Sequence, residues 1–330
     1  MIIIGIDTSC DDTSVGIVKD GYVILSNEIA SQIEVHAKYK GVVPEIASRS
    51  HLNIIIPLIN QAIKNAGIKI SEIDAVAATN GPGLIGSLLV GLTCAKAMAW
   101  ILEKPFYGID HIYAHVYAAK MADPNLQYPH ISLIASGGHT ILFYVKSPTE
   151  LEFIGKTLDD AAGEAMDKAA ALLGLGYPGG PAIEKEAEKT EKELDPPLPI
   201  PMKKSKGFDF SFSGLKTALA RRIKDADLKP IEKAVYARAF QKVLVEHLID
   251  KVKKAIAAFN SKALAIGGGV ARNKYFRKRL SQELSGIHVS FPPPKLCTDN
   301  GAMVAGLAYI YAKTNPGENL EIFPYPKFKF

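Results

Sequence analysis

Residues 2–18 read IIIGIDTSCDDTSVGIV: an apolar run Ile2-Ile3-Ile4-Gly5-Ile6, a polar turn Asp7-Thr8-Ser9, and a second apolar run from Ser14 to Val18 that stops at Lys19-Asp20-Gly21. Short β-branched runs suit buried strands, and a polar turn between two of them folds one back on the other. The reading is strand, turn, strand, turn, strand. The same grammar returns further along: Ile131–Ala135 is an apolar strand, Ser136-Gly137-Gly138-His139 a turn of small residues, and Thr140–Val145 the partner strand. Two such units indicate an internal duplication. A third turn, Gly267-Gly268-Gly269, follows the apolar run Ala263–Ile266 and precedes helical periodicity from Ala271 to Leu284.

Apolar residues recur at helical spacing over 44–66, 84–102, 110–121, 161–173, 232–259 and 300–313. Strands alternating with helices predict an α/β fold. At 330 residues the chain exceeds what one core usually organises, so two lobes are expected. Residues 185–206 are rich in Lys, Glu and Pro without apolar periodicity, and read as a surface insertion.

Composition is that of a globular protein, 48% hydrophobic and 22% charged. Thirty-nine basic against 34 acidic residues give a net charge of +5, which tolerates a polyanionic partner without demanding one. Cys10, Cys94 and Cys297 are odd in number and form no CxxC pair, which argues against a disulfide framework or zinc knuckle and for a reducing, cytoplasmic setting. The N-terminus has no basic leader or cleavage site, so neither a signal peptide nor a membrane span is expected.

The turns Asp7-Thr8-Ser9, Ser136-Gly137-Gly138-His139-Thr140 and Gly267-Gly268-Gly269 suit phosphate, because glycines admit backbone amides to phosphate oxygens and hydroxyls add donors. His111 and His115 lie four apart in a predicted helix and project from one face, where they could share a divalent ion with a carboxylate from elsewhere. Asp299 is one source of that carboxylate; the bland reading makes it the N-cap of the helix opening at Asn300. Ile112-Tyr113-Ala114 offers no general-base Glu, so the HExxH peptidase reading is poor. Asp11 and Asp12 are paired carboxylates in the first turn, either a hydrophilic loop or groups that orient a ligand or take a proton. Glu164 and Lys168 are spaced for an ordinary helical ion pair, leaving Asp167 to face a ligand.

The ordered motifs Gly5-Ile6-Asp7-Thr8-Ser9-Cys10-Asp11, Gly41-Val42-Val43-Pro44-Glu45, Asn80-Gly81-Pro82-Gly83-Leu84, His111 with His115, Ser136–Thr140, Gly176–Pro181, Phe210–Thr217, Gly268-Gly269-Val270 and Cys297-Thr298-Asp299-Asn300 resemble, across nearly the whole chain, the universal tRNA threonylcarbamoyladenosine transferase family in its bacterial TsaD form, formerly called O-sialoglycoprotein endopeptidase. The resemblance implies the actin-like (ASKHA) fold with two ribonuclease-H-like lobes and a cleft between them. It divides the chain into 1–110 with 300–330, and 111–299 carrying the insertion. It implies that His111, His115 and Asp299 bind one divalent metal, Fe2+ ahead of Zn2+. Ile134, Ala135, Ser136, Gly137, Gly138, Asp167, Gly180, Glu184 and Asn273 would bind substrate, an adenylate or ATP/AMP. Asp11, Asp12 or His139 would accept the amine proton.

Asp12 stands where many bacterial relatives carry Glu, and Glu184 where many carry Asp. Ile134 replaces the metal-binding Tyr of archaeal and eukaryotic relatives, so no tyrosine ligand is expected. The family reaction moves threonylcarbamoyl from threonylcarbamoyl-AMP to tRNA; implied partners are tRNA, a TsaB-like paralogue and a TsaE-like ATPase, with a homodimer compatible. The rivals are an ATP-dependent kinase of the same fold, which leaves the His111, His115 and Asp299 set unused, and a nucleotide-switched scaffold without transfer.

Overall fold

The computed structural model describes every residue except 40, 225, 318, 319, 329 and 330. The chain forms two compact units, Met1–Asn125 with Pro292–Phe330, and Leu126–Phe291. The first unit contains β1 (Ile2–Asp7), β2 (Asp12–Lys19), β3 (Val23–Ser31), α1 (Ile33–Ala37), α2 (Pro44–Ala66), β4 (Ala75–Gly81), α3 (Ile85–Leu102), β5 (Phe106–Asp110) and α4 (His111–Ala122). The second holds β6 (His130–Ala135), β7 (Thr140–Ser147), β8 (Glu150–Lys156), α5 (Ala162–Leu172), α6 (Gly179–Ala187), α7 (Ser213–Arg222), α8 (Pro230–Phe259), β9 (Ala263–Gly267), α9 (Lys274–Glu283) and β10 (His288–Ser290). The chain then returns to the first unit with α10 (Pro294–Cys297) and α11 (Gly301–Ala312).

The first sheet has the order β3-β2-β1-β4-β5 and the second β8-β7-β6-β9-β10. In each, the first three strands pair antiparallel and the later two join parallel. The repeat read at residues 2–18 and 131–145 therefore extends over five strands per unit. Alternation along β1 and β2 sorts their side chains: Ile3 and Val18 enter a core with α4 and α11, whereas Ile4, Ile6, Val15 and Ile17 enter one with α2 and α3.

The unit boundaries differ from the sequence division at 110/111 and 299/300. Ala114, Tyr117, Ala118 and Met121 of α4 are buried with Leu296 of α10 and Met303 and Leu307 of α11 in the first unit's core, so α4 and the 292–299 segment belong there. Burial of an apolar helix face outweighs position along the chain.

One close approach positions the functional residues. Gly5 and Gly16 are register partners, and a Cβ on either would run into the backbone of α11 at Gly301, Ala302 or Ala305. Absent side chains let α11 sit directly on the sheet, which brings the residues just before it to the end of β1.

The 18-residue α3 is apolar and long enough to cross a membrane by length and composition alone, although the sequence reading expects no membrane span. One face of it, Leu88, Gly91, Leu92, Ala95 and Ala99, is buried, while Leu89, Trp100 and Ile101 are exposed. The expected surface insertion is fitted to its unit: α6 occupies its first residues, Leu198 is 3% exposed, and Glu193 pairs with Lys242 of α8 at 2.8 Å.

Candidate metal centre and glycine turns

α4 begins where β5 ends. The Asp110 carboxylate caps it, accepting from the amides of Ile112 and Tyr113 at 2.8 and 3.0 Å, and this sets His111 and His115 one turn apart on one face. Their rings meet edge to face, 4.6 Å between centroids. Asn300, not Asp299, caps α11: its Oδ1 accepts from the Met303 amide at 2.9 Å. Asp299 is thereby released to the histidines, with Oδ1 3.1 Å from His115 Nε2 and 3.4 Å from His111 Nε2.

The three ligand atoms lie within 4.8 Å of one another. Ligands about 2.1 Å from a common ion stand roughly 3.0–3.4 Å apart at neighbouring corners, so the two Asp299 distances fit a shared cation. The donor set of two imidazoles and one carboxylate suits a borderline divalent metal. Behind His111, Asp7 accepts the Nδ1 proton at 2.9 Å, which leaves Nε2 as the ligand atom. Asp7 is fully buried and its other oxygen accepts from the Ser9 amide at 2.8 Å. His115 Nδ1 is buried without a hydrogen-bond partner among the described residues. Burial pushes the His111 pKa down, yet the carboxylates of Asp7 and Asp299 outweigh it and hold it well above the usual value. Burial acts to raise Asp299, but His111 and His115 draw it well below the carboxylate range. The cluster is built to hold positive charge against Asp299.

Asp11 and Asp12 flank the same turn. Burial, with the charges of Asp299, Asp11 and Asp7, raises the Asp12 carboxyl to about 7 against the opposing hydrogen bond with Ser31. Asp12 Oδ1 is buried without a partner among the described residues. The structure thus gathers Asp11, Asp12, His111, His115 and Asp299 in the first unit.

The remaining predicted residues collect in the second. Ser136 closes its turn by donating its amide to the His139 carbonyl at 2.7 Å and accepting the His139 amide on Oγ at 3.1 Å. Gly137 and Gly138 are exposed, with no atom of the described residues within 4 Å of where a Cβ would stand. Ile134 and Ala135 are buried in β6. Gly268 takes φ +84°, against the Ala135 backbone, so the third glycine turn lies beside the 136–139 turn. Asp167 accepts the Gly179 amide at 2.6 Å, one residue before Gly180; Glu184 accepts the Lys274 amide at 2.6 Å; Asn273 caps α9. Asp167 and Glu184, expected to face a ligand, each have one oxygen occupied by backbone. Glu164 and Lys168 pair at 2.8 Å as expected.

A family model described as TsaD, tRNA N6-adenosine threonylcarbamoyltransferase, matches residues 23–306. The chain belongs to the TsaD family. Curated relatives of that name include proteins of Thermosipho africanus, 46% identical over all of both chains, and of Symbiobacterium thermophilum, 44% identical over 98% of this chain and 96% of the relative. Among solved structures, component A of the (R)-2-hydroxyglutaryl-CoA dehydratase of Acidaminococcus fermentans aligns with TM-score 0.60 at 17% identity over 95% of this chain and all of that one. HypF of T. kodakarensis aligns with TM-score 0.62 at 17% identity over 94% of this chain and 48% of that one. These likenesses carry the fold, which is actin-like, with a ribonuclease-H-like sheet in each unit.

The structure brings together His111, His115 and Asp299, the three residues named from the sequence, and adds Asp7 behind them. The residue types at 7–9 suit a phosphate turn, and nothing in the spacing of residues 7 and 111 announces their contact. The burial of His36 and His51 carries no sequence signal either.

Proposed function

We infer that this chain transfers the threonylcarbamoyl group from threonylcarbamoyl-AMP to the N6 amine of the adenosine 3′ of the anticodon in ANN-decoding tRNAs, forming t6A and releasing AMP. Family membership supplies the reaction. The observation that carries it to this site is the His111, His115 and Asp299 cluster with Asp7 behind it, which a kinase reading leaves without a task.

A divalent ion held by His111, His115 and Asp299, with Fe2+ the first choice and Zn2+ the second, would supply Lewis acidity for polarising a carbonyl oxygen. The adenine amine is a weak nucleophile because its lone pair is delocalised, so most of the gain comes from placing it and from receiving its proton. The N–C bond forms, the C–O bond to phosphate breaks, AMP leaves with the electron pair, and the amine proton passes to a base. Of Asp11, Asp12 and His139, we assign the base to Asp12, whose Oδ1 is buried without a partner among the described residues and whose carboxyl is raised chiefly by burial. The open Ser136-Gly137-Gly138 turn binds the adenylate phosphate through backbone amides, and Asp167, Gly180, Glu184 and Asn273 frame the nucleotide.

Lys203, Lys204, Lys206, Arg272, Lys274, Arg277, Lys278 and Arg279 would hold tRNA phosphates. The chain works in the cytoplasm with a TsaB-like paralogue and a TsaE-like ATPase. The test is transfer of labelled threonine to an unmodified ANN-decoding tRNA in the presence of bicarbonate, ATP, the adenylate synthase and those partners. Label that requires this chain and disappears with Asp299→Ala supports the reading. No label with a demonstrably active synthase and partners overturns it.

A further inference from the structure

Four buried polar side chains, Thr13, His51, Gln32 and His36, form a continuous hydrogen-bonded line in the first unit that the ligand set and substrate residues do not include. His51 of α2 is fully buried and bridges the β1–β2 turn: its Nε2 lies 3.0 Å from the Cys10 carbonyl and its Nδ1 2.7 Å from Thr13 Oγ1. A carbonyl only accepts, so Nε2 carries the proton and Nδ1 accepts from the Thr13 hydroxyl. Gln32 Nε2 lies 3.4 Å from the same Nδ1. Its Oε1 is 3.2 Å from His36 Nε2, and His36 Nδ1 accepts the Val43 amide at 3.3 Å. Every donor in the line meets an acceptor when both imidazoles are neutral. For His51 burial favours that state, lowering its pKa against the opposing influence of the Cys10 carbonyl and of Asp7 and Asp11.

The two residues that His51 grips, Cys10 and Thr13, bracket Asp11 and Asp12. We propose that His51 is a positioning residue for the transfer reaction, fixing the backbone on either side of Asp11-Asp12 so that the Asp12 carboxyl is held where the amine proton arrives. This rests on the assignment of Asp12 as proton acceptor. A buried hydrogen-bonded histidine could serve stability alone; its placement across these two carboxylates, from a helix that contributes neither, carries the functional role. Displacing a catalytic group by about 1 Å can cost about 10²-fold in rate without touching ground-state binding.

The test is steady-state transfer from threonylcarbamoyl-AMP to unmodified ANN-decoding tRNA, in the full assembly, with metal content and thermal midpoint measured on each variant. His51→Asn keeps an amide near the Nδ1 position and loses the donor to Cys10; His51→Gln restores a donor at that distance. The expected result is a fall in kcat of about 10²-fold for His51→Asn, with KM for the adenylate and metal content unchanged, and recovery of most of the rate in His51→Gln. A wild-type kcat in His51→Asn, or a loss that appears as metal depletion or a raised KM, or one that His51→Gln does not recover, overturns the proposal. Asp12→Asn in the same assay separates the two inferences. Wild-type transfer by Asp12→Asn defeats the proton-acceptor assignment itself; loss in Asp12→Asn with none in His51→Asn defeats only the role of His51.

Discussion

The two units share strand order and strand direction, yet the turn between their first two strands is spent differently. In the first unit residues 7–12 are carboxylate-rich and Asp7 meets His111; in the second, residues 136–139 include two glycines that stand open to solvent. The difference teaches that a duplicated sheet offers the same location twice, and that side chains there decide whether it suits a cation or an anion. Carboxylates and imidazoles gather positive charge, whereas bare backbone amides gather negative charge.

The sharpest way to break this contrast is to remove the cation set. Asp299→Ala or His111→Ala should reduce bound metal, measured by elemental analysis, to background and abolish transfer, while adenylate binding persists in a calorimetric titration. Asp12→Asn should lower kcat by about 10²-fold or more. In metal-free protein the same change should raise stability at pH 8, and the sign follows from the raised carboxyl. Its folded pKa of about 7 exceeds the unfolded value of 3.8, so the folded state holds a proton that the unfolded state has lost, and stability falls as pH climbs from about 4 to 7. Asn removes that penalty, a gain of ~2–4 kcal/mol read by denaturant titration, which should vanish at pH 4.

Asp7→Asn leaves the ligand triad intact but not the orientation of His111, and metal affinity should fall about 10–100-fold with little change in fold. Competition with a chelator measures it; unchanged affinity would mean Asp7 does not set the tautomer. The smallest effect is expected at the opposite turn. Gly138→Ala meets no protein atom, so thermal stability should stay within about 0.5 kcal/mol while KM for the adenylate rises severalfold. Equal KM would argue that the turn does not approach the phosphate.

Part of this design was legible along the chain. The hairpin at 2–18 and its echo at 131–145 were visible because β-branched runs and polar turns are local signals, and His111 with His115 because helical periodicity puts i and i+4 on one face. The boundary between units was not, since α4 and the 292–299 segment are assigned by which core buries them. The N-cap reading of Asp299 failed by one residue, and that residue decides whether its carboxylate caps a helix or faces two imidazoles.

The sequence by itself determined the α/β class, the repeat, and the residue types able to bind a metal and a phosphate, all from patterns within about twenty residues. Only the tertiary structure decided that Asp7 stands behind His111, that Asn300 caps α11 and leaves Asp299 to the histidines, and that His51 spans Asp11 and Asp12. These pairings join residues that are tens to hundreds of positions apart, and they exist because glycines at 5 and 16 let α11 lie on the sheet and α2 covers its other face. No local propensity encodes such an approach; it follows from packing two helical layers against one sheet.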